Sequence, residues 1–159
     1  MKYEIYIKGC WGGKSNSAST ALAILCDGKA INKKSAKFDN EIPTKNGQPI
    51  AILKNRGQFQ MELYAIVWAL TLLEPSDDEV VIYSNVQAVV GWINAGFGRE
   101  SDIPSDYMKF FNACRTMSKG RRITGEWMPK RTDNEWNKLV NDVAFELIGM
   151  KGSPITKIF

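Results

Sequence analysis

The chain has 159 residues, 44% hydrophobic and 24% charged, the balance of one globular domain over residues 1–159 with a core of its own. Its net charge of +4 permits a polyanionic partner without demanding one. The complete absence of histidine removes Ser-His and Cys-His dyads and histidine metal ligands, and the three widely spaced cysteines, Cys10, Cys26 and Cys114, fit neither a disulfide framework nor a zinc site.

No apolar run reaches the roughly 18 residues that a membrane span needs, so no membrane association is expected. The opening residues, Met1 to Ile7, alternate as a strand does and lack the apolar core of a signal peptide. A cytoplasmic location is the expectation.

Lys2 to Lys8 reads as the first strand, alternating around Tyr3, Ile5 and Ile7. Gly9 to Ser17 has the composition of a turn. Thr20 to Cys26 is an apolar strand, Asp27-Gly28 a tight hairpin turn, and Lys29 to Phe38 the returning strand. Residues 39–58 are polar and irregular around Pro43, Gly47, Pro49 and Gly57, with Ile50 to Leu53 as a short strand or edge addition.

Gln58 to Glu74 reads as a helix, apolar nearly all round and therefore buried on most faces. Glu79 to Ser84 has the continuous apolar character of a covered parallel strand. Val86 to Ala95 is a short helix ended by Gly96, and Ser105 to Ser118 a further helix opened by Pro104 and Ser105. Arg122 to Met128 is a strand and Asn134 to Met150 a final helix. Three meandering strands followed by β-α units predict an α/β fold: a five-stranded mixed sheet with helices on both faces.

Four segments in this order resemble ribonuclease H. Gln60-Met61-Glu62-Leu63 resembles the Met-Glu-Leu that opens that family's first helix. Val80 to Val89 is similar to the segment that carries Thr-Asp-Ser before the second helix, here Ser84-Asn85-Val86. Ile123 to Met128 resembles the last strand, and Asn137 to Ala144 the Asn-x-x-x-Asp-x-x-Ala helix. Together they span nearly the whole chain and imply the RNase H-like fold. Members of the family cut the RNA strand of RNA/DNA hybrids with a carboxylate cluster and two Mg²⁺ ions, because Mg²⁺ takes hard anionic oxygen ligands.

The resemblance carries over one carboxylate of four. Glu62 stands where the first helix supplies its Glu; Lys8, Asn85 and Asn141 stand where Asp is expected, and Arg131 lies near the loop position of a catalytic His. The nominal site charge changes from about −4 to about 0. A unit positive charge about 4 Å from a metal charge is opposed by about 4 kcal/mol at an effective dielectric near 20. No metal and no cofactor is therefore expected. The specific expectation is that the Lys8 ammonium takes a metal's place, pairs with Glu62, and completes its hydrogen bonds on Asn85 and Asn141. Each residue also has a plainer account: Glu62 suits a helix start, Asn85 a cap, and Lys8 can reach to water.

In the family the hybrid lies across the glycine-rich first turn and the helix openings. The matching residues are Gly9, Cys10, Trp11, Gly12, Lys14, Asn16, Gln58, Phe59, Gln60 and Gln87. Lys119, Arg121, Arg122, Lys130 and Arg131 add candidate phosphate contacts, while Trp11 and Phe59 are candidates either for stacking or for the core. The basic protrusion of some bacterial members is replaced by a short stretch of mixed charge, Phe97 to Asp106.

The leading expectation is a catalytically defective RNase H-like domain that binds nucleic acid, either an RNA/DNA hybrid or double-stranded RNA. The alternatives are a protein-interaction or tethering module on the same scaffold, and an active Mg²⁺-dependent nuclease with a rearranged site built on Glu62 and Asp142.

Overall fold

The computed structural model describes residues 1–98 and 107–149. Three antiparallel strands come first: β1 (Lys2–Gly12), β2 (Ser17–Cys26) and β3 (Lys29–Asp39). A small separate pair follows, β4 (Glu41–Ile42) with β5 (Ile50–Ala51). Then come α1 (Gly57–Thr71), β6 (Glu79–Ser84), α2 (Gln87–Asn94), α3 (Met108–Ser118), β7 (Arg122–Trp127) and α4 (Glu135–Ile148). The main sheet runs β3-β2-β1-β6-β7, with β6 parallel to β1 and β7 parallel to β6. This is the mixed α/β architecture that the order of elements implied. The expected helix opening at Pro104-Ser105, most of the stretch from Phe97 to Asp106, and the helix end at Met150 lie outside the described residues.

Period-two alternation along the strands assigns each side chain to a face. Ile5 and Ile7 of β1, Leu22 and Ile24 of β2 and Ile82 of β6 join α1, α2 and α3 in the larger core. Tyr6, Cys10, Ala21, Ala23 and Leu25 face the other way and pack with Val140 and Ala144 of α4. Adjacent residues of β2 tie down both layers: the Ser19 hydroxyl donates to the Ala144 carbonyl at 2.6 Å, and the Thr20 hydroxyl to the Met61 carbonyl at 2.9 Å. Helix α1 is buried from Gln60 to Leu70 without interruption, in keeping with its all-round apolar sequence.

Two local features explain the connections. Asp27 and Gly28 both have positive φ, +48° and +84°, as the tight two-residue hairpin turn requires. Asn134 caps α4, its side-chain oxygen accepting from the N–H groups of Trp136 and Asn137 at 2.9 Å.

The segment Gly9 to Gly12 departs from expectation. It is the end of β1, not a turn; the turn lies at residues 13–16. Glycine is required at position 9 by a close approach. A Cβ there would lie 2.5 Å from the Gln58 carbonyl oxygen, 2.7 Å from the Glu62 nitrogen and 2.8 Å from the Met61 Cβ. Backbone atoms cannot yield cheaply, so Gly9→Ala is expected to cost about 3 kcal/mol. A lowered urea midpoint at unchanged slope is the measurement that checks it.

Candidate functional site

The expected site positions gather where the end of β1, the end of β6, the first half of α1 and the middle of α4 meet. Glu62 is fully buried. Its Oε2 accepts the Gly9 N–H, and its Oε1 accepts the Ser84 hydroxyl at 2.6 Å. The Ser84 oxygen in turn accepts the Val86 N–H at 3.0 Å. Burial raises the Glu62 pKa above the ordinary carboxylate range, opposed by the Ser84 hydrogen bond, the Lys8 charge and the Gly9 hydrogen bond. The carboxyl thus ties α1 to β1 and β6.

Lys8 corrects the expected pairing. Ile5, Ile7 and Gly9 face α1, so alternation turns Lys8 toward α4, while Glu62 approaches the sheet from the α1 side. No ion pair joins them; among the described residues the ion pairs are the N-terminus with Asp78 and Lys37 with Asp39. The Lys8 ammonium lies 5.6 Å from the centre of the Phe145 ring, and the Lys130 ammonium lies over the same ring at 4.0 Å. Lys8 is only 5% exposed. The stem is buried, while the ammonium, which makes a cation–π contact with that ring, keeps access to solvent.

Asn85 and Asn141 do not turn to Lys8 either. Both amide nitrogens converge on the Asn137 side-chain oxygen, at 2.9 and 3.3 Å. Asn85 also donates to the Met128 carbonyl at 2.8 Å, and Asn141 to the Asn137 carbonyl at 2.7 Å. Asn137 closes the network through Pro129 and Lys130, whose carbonyls accept from its amide at 3.2 and 3.4 Å. The Asn85 and Asn141 side-chain oxygens are left buried without a donor. Asp142 is exposed, so it does not replace Asn141, and a rearranged site on Glu62 and Asp142 is not what the fold builds.

The donor set does not fit two Mg²⁺ ions. It offers two neutral amide oxygens, one buried carboxyl whose two oxygens already accept hydrogen bonds, and a lysine. Among the described residues no three His, Cys, Asp or Glu side chains cluster as metal ligands.

Several candidates for nucleic-acid contact have other tasks. The Gly9 N–H is spent on Glu62 and its α-carbon lies under α1, so it does not offer a free amide to a phosphate. Gln60 is fully buried, and its amide accepts from Leu53 N–H at 2.9 Å and donates to the Ala51 carbonyl at 3.0 Å, pinning the β5 segment. Asn16 accepts the Trp11 indole N–H at 2.8 Å and donates to the Ile52 carbonyl at 3.2 Å. Phe59 packs with Trp92 and Tyr107 against the core, so its ring is core and not a stacking platform. Cys10 is buried, while Trp11 and Gln58 are half-buried. Lys14, Gln87, Lys130 and Arg131 are exposed.

The Lys119 to Arg122 segment lies elsewhere. Arg122 pairs with Glu79, which pairs with Lys2, at the sheet edge opposite Ser84 and Trp127. Arg121 is a helix-end clamp: its guanidinium donates to the Leu70 and Leu73 carbonyls at 3.0 and 2.9 Å and to Met117 at 3.0 Å. That ties the end of α1 and the residues after it to the end of α3. Arg121→Ala is expected to cost about 1.5–3 kcal/mol, the scale of hydrogen bonds to a charged group, and to leave nucleic-acid affinity unchanged. Paired denaturation and binding curves check both halves.

Three residues at the site escaped the sequence reading. Asn137 is the hub of the asparagine network. Phe145, 43% exposed, takes both lysine ammoniums against its ring, and Trp127, 50% exposed, donates its indole N–H to the Asn85 carbonyl at 3.2 Å. The spacing 137, 141, 145 places Asn137 and Phe145 on the same face of α4 as Asn141, and that was the available signal.

No family model matches this chain, and comparison with curated proteins gives no match. RNase H1 of the halophilic archaeon Halobacterium salinarum NRC-1 superposes with a TM-score of 0.65 at 14% identity, over 94% of this chain and 98% of that one. The N-terminal RNase H domain of rv2228c from Mycobacterium tuberculosis gives 0.64 at 15% identity, over 93% and 96%. LC11-RNase H1, solved in complex with an RNA/DNA hybrid, gives 0.61 at 15% identity, over 92% and 99%. The chain has the RNase H-like fold.

Proposed function

We propose that this chain is a nucleic-acid-binding RNase H-like domain, for an RNA/DNA hybrid or double-stranded RNA, without the two-metal cleavage of ribonuclease H. The observation that carries it is the buried Lys8, with the one retained carboxyl, Glu62, on the other face of the sheet and already engaged by Gly9 and Ser84. Exchange of anions for a cation and amides removes what two Mg²⁺ ions need, and leaves a face that attracts phosphates. Lys130 and Arg131 extend that face along an open groove of about 420 Å³ shared with Lys138, Asp133 and Glu135. The likeness to LC11-RNase H1, solved with an RNA/DNA hybrid, supports the substrate class.

The test is a titration with hybrid, duplex RNA and duplex DNA at two salt concentrations, alongside cleavage assays with Mg²⁺ and Mn²⁺. Salt-sensitive binding of hybrid or duplex RNA without cleavage is expected. Cleavage abolished by Glu62→Gln would overturn the reading, as would a lack of affinity for all three duplexes.

A further inference from the structure

Among the described residues, the lysine that stands out is Lys8. It is nine-tenths buried, makes no ion pair, and lines a depression of about 140 Å³ with Gly9, Cys10, Trp11, Gln58 and Phe145. That volume is several times the roughly 30 Å³ share of one water, the size class of a single oxyanion. Phe145 forms one wall, and the Lys130 ammonium stands 4.0 Å over the same ring. Both ammoniums also act on the buried Cys10 thiol, pulling its pKa down against the upward effect of burial. One lysine therefore lines the depression, and a second positive charge stands over the ring that walls it.

Among the described residues, no carboxylate pairs with either of them. Glu62 approaches from the other face of the sheet with both oxygens engaged. Asp142 and Glu146, on the same helix as Phe145, are exposed and form no ion pair with either lysine. A cation at such an opening, with no carboxylate partner, is stabilised by an anion that completes it.

We propose that the depression is a seat for one phosphate group, held between Lys8 and Lys130, at the place where the RNase H resemblance puts metal cations. This deepens the proposed function, on which it rests for the source of the phosphate: a backbone phosphate of the bound nucleic acid. The interaction is a point-charge contact from two flexible stems, so it reads phosphate and not base identity.

Two measurements separate the seat from the function. The first follows the amide signals of Cys10 and Trp11 by NMR as inorganic phosphate is added, against chloride at matched ionic strength. Saturable shifts are expected for the native protein, at least tenfold weaker in Lys8→Met and reduced in Lys130→Met. The exposed position of Lys130 keeps the test valid if Lys8→Met folds poorly. The second measures hybrid affinity against salt, where each lysine variant is expected to lower the log–log slope by about one. Absence of the shifts overturns the seat. Shifts with no duplex binding uphold the seat and overturn the function. Duplex binding with an unchanged slope in both variants overturns the seat and leaves the function standing.

Discussion

Replacing Lys8, Asn85 and Asn141 together by aspartate is expected to destabilise the metal-free protein and to make its stability depend on Mg²⁺, with no such dependence expected of the native chain. The native site carries a buried lysine and two amides whose nitrogens converge on the Asn137 side-chain oxygen. Aspartate at 85 and 141 turns both donors into acceptors facing another acceptor. Asn137 can rotate its amide to meet them only by giving up Pro129 and Lys130. Each group left unmet costs about 1–3 kcal/mol, and the new charges repel one another and the buried Glu62.

A divalent ion reverses the sign of that arrangement. Mg²⁺ at 100 times its dissociation constant returns about 2.7 kcal/mol, which for a domain of this size raises the melting temperature by roughly 5–10 °C. Thermal melts with and without Mg²⁺ read the effect. An equal Mg²⁺ response in the native chain would overturn the account of the donor set, because it would show that the amides and Glu62 suffice to hold the ion.

Much of the fold was legible because its signals are local and redundant. The unbroken apolar run of Glu79–Ser84 announces a covered strand, Asp27-Gly28 announces a hairpin, and α1 is apolar on every side. The gathering of positions 8, 62, 85 and 141 follows from that order. Their pairing does not, since it depends on which face each side chain takes. The alternation of Ile5, Ile7 and Gly9 against Tyr6, Lys8 and Cys10 contains that information, but only once α1 is known to cover the odd-numbered residues. The misplaced surface candidates share a cause as well. A glutamine such as Gln60 or an arginine such as Arg121 looks like surface in one dimension. In three it satisfies backbone groups of a distant segment, Leu53 and Ala51 in one case and Leu70 and Leu73 in the other. No local pattern reports such a contact.

Glu62 carries the second large effect, and it separates structure from charge. Truncation by Glu62→Ala leaves the Gly9 N–H and the Ser84 hydroxyl without their partner at full burial, with a cavity besides. Two unmet donors and the lost packing predict a cost of about 4–6 kcal/mol. Glutamine keeps the shape: its oxygen accepts from Gly9 and its amide donates to the Ser84 oxygen, so Glu62→Gln is expected to cost only about 1 kcal/mol near pH 4. The two then diverge with pH. Burial raises the folded-state pKa of Glu62, so the native fold binds that proton more tightly than the unfolded chain does. The stabilisation is complete below the ordinary glutamate value of about 4.3 and is lost as pH rises through the elevated one. Glutamine does not titrate. The stability of the native chain relative to Glu62→Gln must therefore fall between pH 4 and pH 8, and urea midpoints across that range read the difference directly. Lys8 holds the pKa down from across the sheet, so Lys8→Met is expected to raise the folded-state pKa further and to extend the loss of stability to higher pH. A native-minus-Gln difference that grows with pH would mean that Glu62 is held as a carboxylate by Lys8, and the separation of the two by opposite faces of the sheet would then be the wrong description of this site.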